Sequence, residues 1–317
     1  MGDEISRRTL LKLGIAAGAG LSGLSLLRGL KKPPPIKGLH PCSLGNGLVV
    51  SHGQNPAAMT RAAVKALGGM EKLVSSGDVV VIKPNIAWDR PPELAANTNP
   101  DVVAELVRMC LDSGASRVKV FDHTCSPNPG PSYERSGIAA AARAAGAQVS
   151  FVDPTRFREV AIPNGRSLKS WSFYEEVLYA DVLINVPIAK HHSTSKLTMA
   201  LKNVFGMIGN DRGRLHRNIH ANIADLNRVV KVDLTVLDAF RILKDHGPTG
   251  GRLIDVDNSV DRARRIVVSR DPVAVDAYGA TLFGMNPDEV GFIREAYEAG
   301  LGQIDFRING FEELTVS

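Results

Sequence analysis

The densest run of groups able to do chemistry is Lys190–Lys231, which carries Lys190, His191, His192, Lys196, Lys202, Asn203, Arg212, Arg214, His216, Arg217 and His220. Eight Lys/Arg stand there against two acids, Asp211 and Asp225, a local charge of +6 before any histidine is protonated. Such a concentration attracts and orients carboxylate or phosphate groups, and a cation placed where negative charge develops lowers a barrier. A solvated basic face is the plainer explanation of a charge run. Against it, residues 197–208 read LTMALKNVFGMI, so Lys202 and Asn203 sit in a stretch that ought to be buried. A buried ammonium needs a partner or must lose its proton, which favours a functional role for this segment.

Four groups fall at places where an α/β protein binds ligands. In open α/β sheets the ligand lies beyond the carboxyl ends of the strands. Lys83-Pro84-Asn85, Asp122-His123-Thr124, Lys190-His191-His192 and Asp238 each follow an apolar run that reads as a strand. This assigns Lys83, Asn85, Lys202 and Asn203 to substrate binding. Lys190 adds charge or acts as an acid–base group, and His191 or His192 moves protons, imidazole being the side chain that titrates nearest neutral pH. The histidines also allow a metal. His216 and His220 are four residues apart, on one face if the segment is helical, and Asp238 and Asp276 are carboxylate candidates for a divalent ion with an open coordination position. The surroundings are not H-E-x-x-H, and adjacent histidines on a strand point opposite ways. No phosphate-binding glycine signature stands between a first strand and helix, so the cofactor, if any, is left open.

These residues need a scaffold, and the pattern predicts an α/β fold. Strand-like runs recur at Val79–Ile82, Val118–Phe121, Val149–Val152, Val182–Val186, Leu234–Leu237 and Ile266–Val268. Between them lie helix-period stretches at Ala57–Val74, Asp101–Leu111, Ala139–Ala145, Ile219–Val230, Val273–Leu282 and Pro287–Ala299. Strand followed by helix, repeated, predicts a mainly parallel open sheet with helices on both faces, built as a single large domain. Asn99-Pro100 and Asp271-Pro272 each place a capping side chain before a helix-initiating proline.

The first 32 residues read as an address. Ser6-Arg7-Arg8-Thr9-Leu10-Leu11-Lys12 leads into the charge-free run Leu13–Leu27, then Arg28, Lys31, Lys32 and three prolines. This resembles a twin-arginine export signal. This run of 15 residues falls short of the roughly 20 that span a bilayer; with no clear A-x-A site after it, an uncleaved anchor is also open. The expected location is therefore the periplasm or the outer face of the cytoplasmic membrane, with the export machinery as a partner. Membrane contact is expected only through an uncleaved leader. The formal charge of +5 is largely this leader: it holds six Lys/Arg and two acids, leaving 32 against 31 in residues 33–317. That near-neutral remainder and 5% aromatic content disfavour nucleic acid. Three scattered cysteines, Cys42, Cys110 and Cys125, are too few for a disulfide framework or an iron–sulfur cluster.

The combination of Val81-Ile82-Lys83-Pro84-Asn85, Asp181–Pro187 running into Ala189-Lys190-His191-His192, and Leu197–Asn203 with Phe205-Gly206 resembles the domain-of-unknown-function 362 family. Asn222–Leu226, Val236–Ala239, Gly247-Pro248 with Gly250-Gly251, and Ser269–Asp276 extend the likeness over about residues 50–310. Many relatives carry an appended ferredoxin-like segment; this chain has no such cysteine cluster, and no electron-transfer role is carried over. The layout is also similar to the nickel-pincer lactate racemase group, where Lys and His side chains serve a 2-hydroxy acid. The expected organisation is an export signal or anchor over 1–32, a linker and N-terminal extension over 33–50, and the α/β domain over 51–317. The favoured function is an exported enzyme acting on a small carboxylate or phosphate in a basic Lys/His pocket. The alternative is a non-catalytic periplasmic anion-binding or redox-complex accessory protein.

Overall fold

Runs of β-branched residues settle as strands where helices can cover both their faces. The computed structural model describes residues 45–317, so the expected leader and most of the expected linker lie outside the described residues. The strands are β1 (Leu48–Gly53), β2 (Val79–Pro84), β3 (Arg117–Val120), β4 (Gln148–Val149), β5 (Phe157–Ala161), β6 (Ser170–Tyr174), β7 (Val182–Val186), β8 (Ile188–His192), β9 (Lys196–Thr198), β10 (Leu234–Leu243), β11 (Val260–Asp261), β12 (Arg265–Ser269) and β13 (Phe311–Val316). The main sheet follows the order β13-β1-β12-β10-β7-β2-β3-β4. β12 runs antiparallel to both its neighbours, and every other pair along this path is parallel. The expected mainly parallel sheet is therefore present. β1 already pairs from Leu48, inside the stretch assigned to the extension, because Leu48, Val49 and Val50 are buried between β12 and β13.

Alternation along the strands divides the core into two faces. Val80 and Ile82 of β2, with Ile266 and Val268 of β12, pack against the helices Pro56–Leu67, Pro100–Asp112 and Ile138–Ala144. Val267 faces the opposite way, towards Ile219–Asn227, Pro272–Thr281 and Gly291–Glu298, and Val81 faces that side with Leu183 and Val204. Lys83, two residues beyond Val81, shares its face and lies under the segment that carries Lys202. The two capping readings hold: Asn99 Oδ1 accepts from Asp101 N at 3.0 Å, and Asp271 Oδ1 accepts from Val273 N and Ala274 N at 2.8 and 3.0 Å.

The chain departs from the expected elements mainly where strands are polar or short. β5 and β6 form a separate antiparallel ribbon, and β8 and β9 a hairpin whose first strand adds to β10. Among the described residues no helix is long and apolar enough to cross a membrane.

Candidate functional site

Lys83 ends β2 beside Asn185 of β7 in the sheet register, and neither side chain has water to turn to. Lys83 is wholly buried and pairs with the equally buried Asp122 at 2.8 Å. Its ammonium also donates to Asn203 Oδ1 at 2.8 Å, which takes a second bond from Asn85 Nδ2 at 3.0 Å. Asn203 in turn donates to Asn185 Oδ1 at 2.8 Å, and Asn185 to the Ala200 carbonyl at 3.0 Å. The carboxyl ends of β2, β3 and β7 are thus joined to the 3-10 segment Lys202–Met207 by one polar network. Burial lowers the Lys83 pKa, and the Asp122 carboxylate opposes that shift.

Asp122 is itself fixed from behind. Its backbone N–H donates to Tyr133 Oη at 2.7 Å, Tyr133 Oη donates to its carbonyl at 2.8 Å, and its second carboxylate oxygen accepts from Ile86 N at 2.6 Å. Gly206 passes directly over the pair: a Cβ there would overlap Asp122 Oδ1 and the Lys83 ammonium.

Above this floor opens a cleft of about 600 Å³ whose walls include Lys83, Asn85, Lys190, His192, Lys202 and Asn203. Lys190, 1% exposed, donates to Asn85 Oδ1 at 3.0 Å and to the Ala96 carbonyl. Among the described residues no carboxylate pairs with it, and burial pushes its pKa down to about 7. Lys202, 7% exposed, has no hydrogen-bond acceptor or ion-pair partner among the described residues; its ammonium lies 5.1 Å from the Phe205 ring centre. Burial likewise lowers it, to about 8. Arg212 adds a third cation to the wall beyond the Lys83 pair, and it too is met by carbonyls, those of His123, Phe205 and Thr124. The acids of the lining are Asp122, spent on Lys83, and Asp211, whose carboxylate caps Gly213 N at 3.0 Å.

Two histidines of the cleft are held in opposite tautomers by their backbone partners. His192 Nδ1 accepts from Thr194 N and Ser195 N at 3.1 and 3.3 Å, so the neutral ring carries its proton on Nε2. Burial, then Lys202 and His216, drive its pKa down to about 3. At neutral pH His192 therefore offers its Nε2–H as a hydrogen-bond donor to the cleft. His123 Nδ1 lies 2.7 Å from the Ile208 carbonyl and must donate to it, which leaves an Nε2 lone pair. Burial and the Arg212 charge lower its pKa, so this lone pair is free at neutral pH.

The sequence-predicted residues divide cleanly. Lys83, Asn85, Lys190, His192, Lys202, Asn203 and His216 come together at the cleft. His191 does not: alternation on β8 turns it away, and its Nδ1 accepts from Gly247 N at 3.2 Å. The proposed metal set is not a set. A 3-10 helix ending at Asn218 gives way to an α-helix at Ile219, so His216 stacks on His192, with ring centres 6.0 Å apart, while His220 packs on Phe292. Asp238 accepts from Asn99 N and Phe240 N at 2.7 and 3.1 Å. Asp276 accepts from Ala200 N and Leu201 N at 2.6 and 2.9 Å, which holds the start of the Lys202 segment. Burial raises these two carboxyls, to about 6 and about 8. Among the described residues no three His, Cys, Asp or Glu side chains converge as metal ligands.

His123, Cys125 and the binding partner of Lys83, Asp122, are the contributors that sequence reasoning did not commit to. Their signal was positional, since all lie just past β3.

A family model described as a domain of unknown function, DUF362, matches residues 80–281, a span that takes in every residue lining the cleft. The chain belongs to this family. The thylakoid-associated protein sll1697 of Synechocystis sp. is 24% identical over 280 residues, covering 82% of this chain and 81% of that protein. The lactate racemase apoprotein of Thermoanaerobacterium thermosaccharolyticum aligns with a TM-score of 0.44 at 11% identity, over 80% of this chain and 58% of that one. A Thermotoga maritima protein aligns with a TM-score of 0.34 at 11% identity, over 58% of this chain and 51% of that one. The chain thus spans less than two thirds of either solved structure.

Breaking a buried ion pair costs about 3–5 kcal/mol. Gly206→Ala is therefore expected to lower the free energy of unfolding in urea by about 3 kcal/mol or more, because the pair must separate to admit the methyl group. An unchanged midpoint would show that the segment does not rest on the pair.

Proposed function

We propose that this protein is an enzyme that binds a small carboxylate or phosphate in the cleft and moves protons on it. The observation that carries the reading is Lys202, a residue more than nine-tenths buried that lines the cleft and whose ammonium meets no counter-charge among the described residues. A buried cation left in this state is unfavourable until an anion arrives. The bound anion supplies the missing charge, with Lys190 and Arg212 adding to the field. His123 Nε2 serves as the base, and Lys190, poised near neutral pH, as the group that gives or takes a proton. His192 Nε2–H donates to negative charge that develops during reaction. An anion clamp alone needs the cations but neither of the fixed tautomers.

Residues 1–32 belong to the same reading as an export address that carries the folded chain to the periplasm or the outer face of the cytoplasmic membrane. The twin arginines and the apolar run support this. Replacing Arg7 and Arg8 together by Lys is expected to leave the protein in the cytoplasmic fraction of a host that has the twin-arginine route. Unchanged fractionation would remove the export assignment.

Sulfate keeps the same charge across the relevant pH range and serves as the probe of the cleft. Lys202→Met is expected to weaken sulfate binding by roughly 10–100-fold, the range for a hydrogen bond to a charged group. In the wild type, affinity should fall as pH rises through about 8, where Lys202 loses its proton. Stability moves the other way. The unfolded chain keeps this proton up to about 10.5, so the burial penalty is fully present below about pH 8 and is relieved as pH rises towards 10.5. Lys202→Met is thus expected to be more stable than wild type at pH 7, by up to about 3 kcal/mol, with the gain shrinking above pH 8. Calorimetry and thermal melts read both. Undiminished binding, or a variant less stable than wild type at pH 7, would mark Lys202 as structural.

A further inference from the structure

We infer that Cys125 is a nucleophile of this cleft, directed at a carboxylate whose neighbouring carbon is electrophilic, as in a 2-oxo acid. The inference rests on the anion-binding reading above and deepens it by naming a substrate class. Cys125 is a free, exposed cysteine whose residue lines the same cleft as Lys202, His123 and His192. The peptide unit that leads into it is held at both its polar groups: the Cys125 N–H donates to the Ala87 carbonyl at 3.0 Å, and the Thr124 carbonyl accepts from Arg212. Lys83, Lys190 and Lys202 line the cleft with it. Accessible cysteines beside cationic side chains are the reactive ones, whereas those buried among apolar groups are inert. Cys110, in contrast, is buried against Met70 in the core, and burial pushes its pKa up.

The independent pointer to a ligand is Lys202, more than nine-tenths buried, lining this cleft and unpartnered among the described residues. An anion held there brings its adjoining carbon within the space that Cys125 shares. With a 2-oxo acid, sulfur bonds to C2 and the carbonyl π pair moves onto oxygen. The proton that leaves sulfur, carried by His123 Nε2, ends on that oxygen, while His192 Nε2–H donates a hydrogen bond to it. The addition gives a hemithioketal, conserves every atom and needs neither oxidant nor reductant.

Iodoacetate is the matching probe, a carboxylate beside an electrophilic carbon from which iodide leaves with its bonding pair. Iodoacetamide is its neutral counterpart. The full-length protein is labelled with each in the presence of glutathione, and peptide mass spectrometry gives the rate at Cys125. The iodoacetate-to-iodoacetamide rate ratio at Cys125 is expected to exceed that of glutathione by at least about tenfold. Saturating sulfate on the wild-type protein should abolish the excess, as should Lys202→Met. A ratio equal to that of glutathione, or an excess that sulfate leaves unchanged, overturns the inference. Sulfate binding measured on the same preparation separates the two claims. Binding without labelling preference removes the nucleophile and leaves the anion site, whereas absence of both removes the reading beneath it.

Discussion

The buried Lys83–Asp122 pair is the interaction on which the remaining site depends. It ties the end of β2 to the turn after β3, and Asn203 and Asn85 extend that tie to the 3-10 segment and to Lys190. Neither charge can be withdrawn alone without stranding the other in the interior. The demand for a bare backbone at Gly206 follows from it, since the segment bearing Lys202 must pass against the pair. Asp276, from the helix Pro272–Thr281 on the same side of the sheet, takes two backbone N–H groups at the start of that segment and holds it there.

Once Asp122 is committed to Lys83, the wall of the cleft holds more positive than negative charge. Lys190 and Arg212 are satisfied by carbonyl or amide oxygens, which accept hydrogen bonds but bring no charge. Lys202 lacks even that among the described residues. Such a site disfavours its own protonated form, which is why burial depresses the lysines, and an incoming anion relieves the cost directly. The two imidazoles complete the arrangement through opposite tautomers fixed by backbone groups, one offering an N–H and the other a lone pair.

Much of this was legible in the sequence because it follows from burial. Apolar runs in β2 and β7 announced a covered parallel sheet, and a lysine inside LTMALKNVFGMI announced a buried cation needing a purpose. What could not be read were contacts made across the fold. His216 and His220 are four residues apart, yet a change from 3-10 to α-helix between them turns the rings towards different partners. Asp238 and Asp276 resemble metal ligands in one dimension and cap backbone N–H groups in three. His123 and Cys125 follow a short strand that gave little weight to its own end, and the tautomers of His123 and His192 depend on carbonyl and amide positions that no spacing encodes.

The central claim is that the cleft withholds charge from its own lysines and takes it from a ligand. Calorimetric titration with sulfate at pH 8, repeated in buffers of different ionisation enthalpy, counts the protons taken up on binding. With Lys202 near pH 8 and Lys190 near 7 in the free protein, binding must raise both, and uptake of about half a proton or more per sulfate is expected. Binding with no proton uptake would contradict the account, because it would mean that the anion meets lysines already fully charged or none at all.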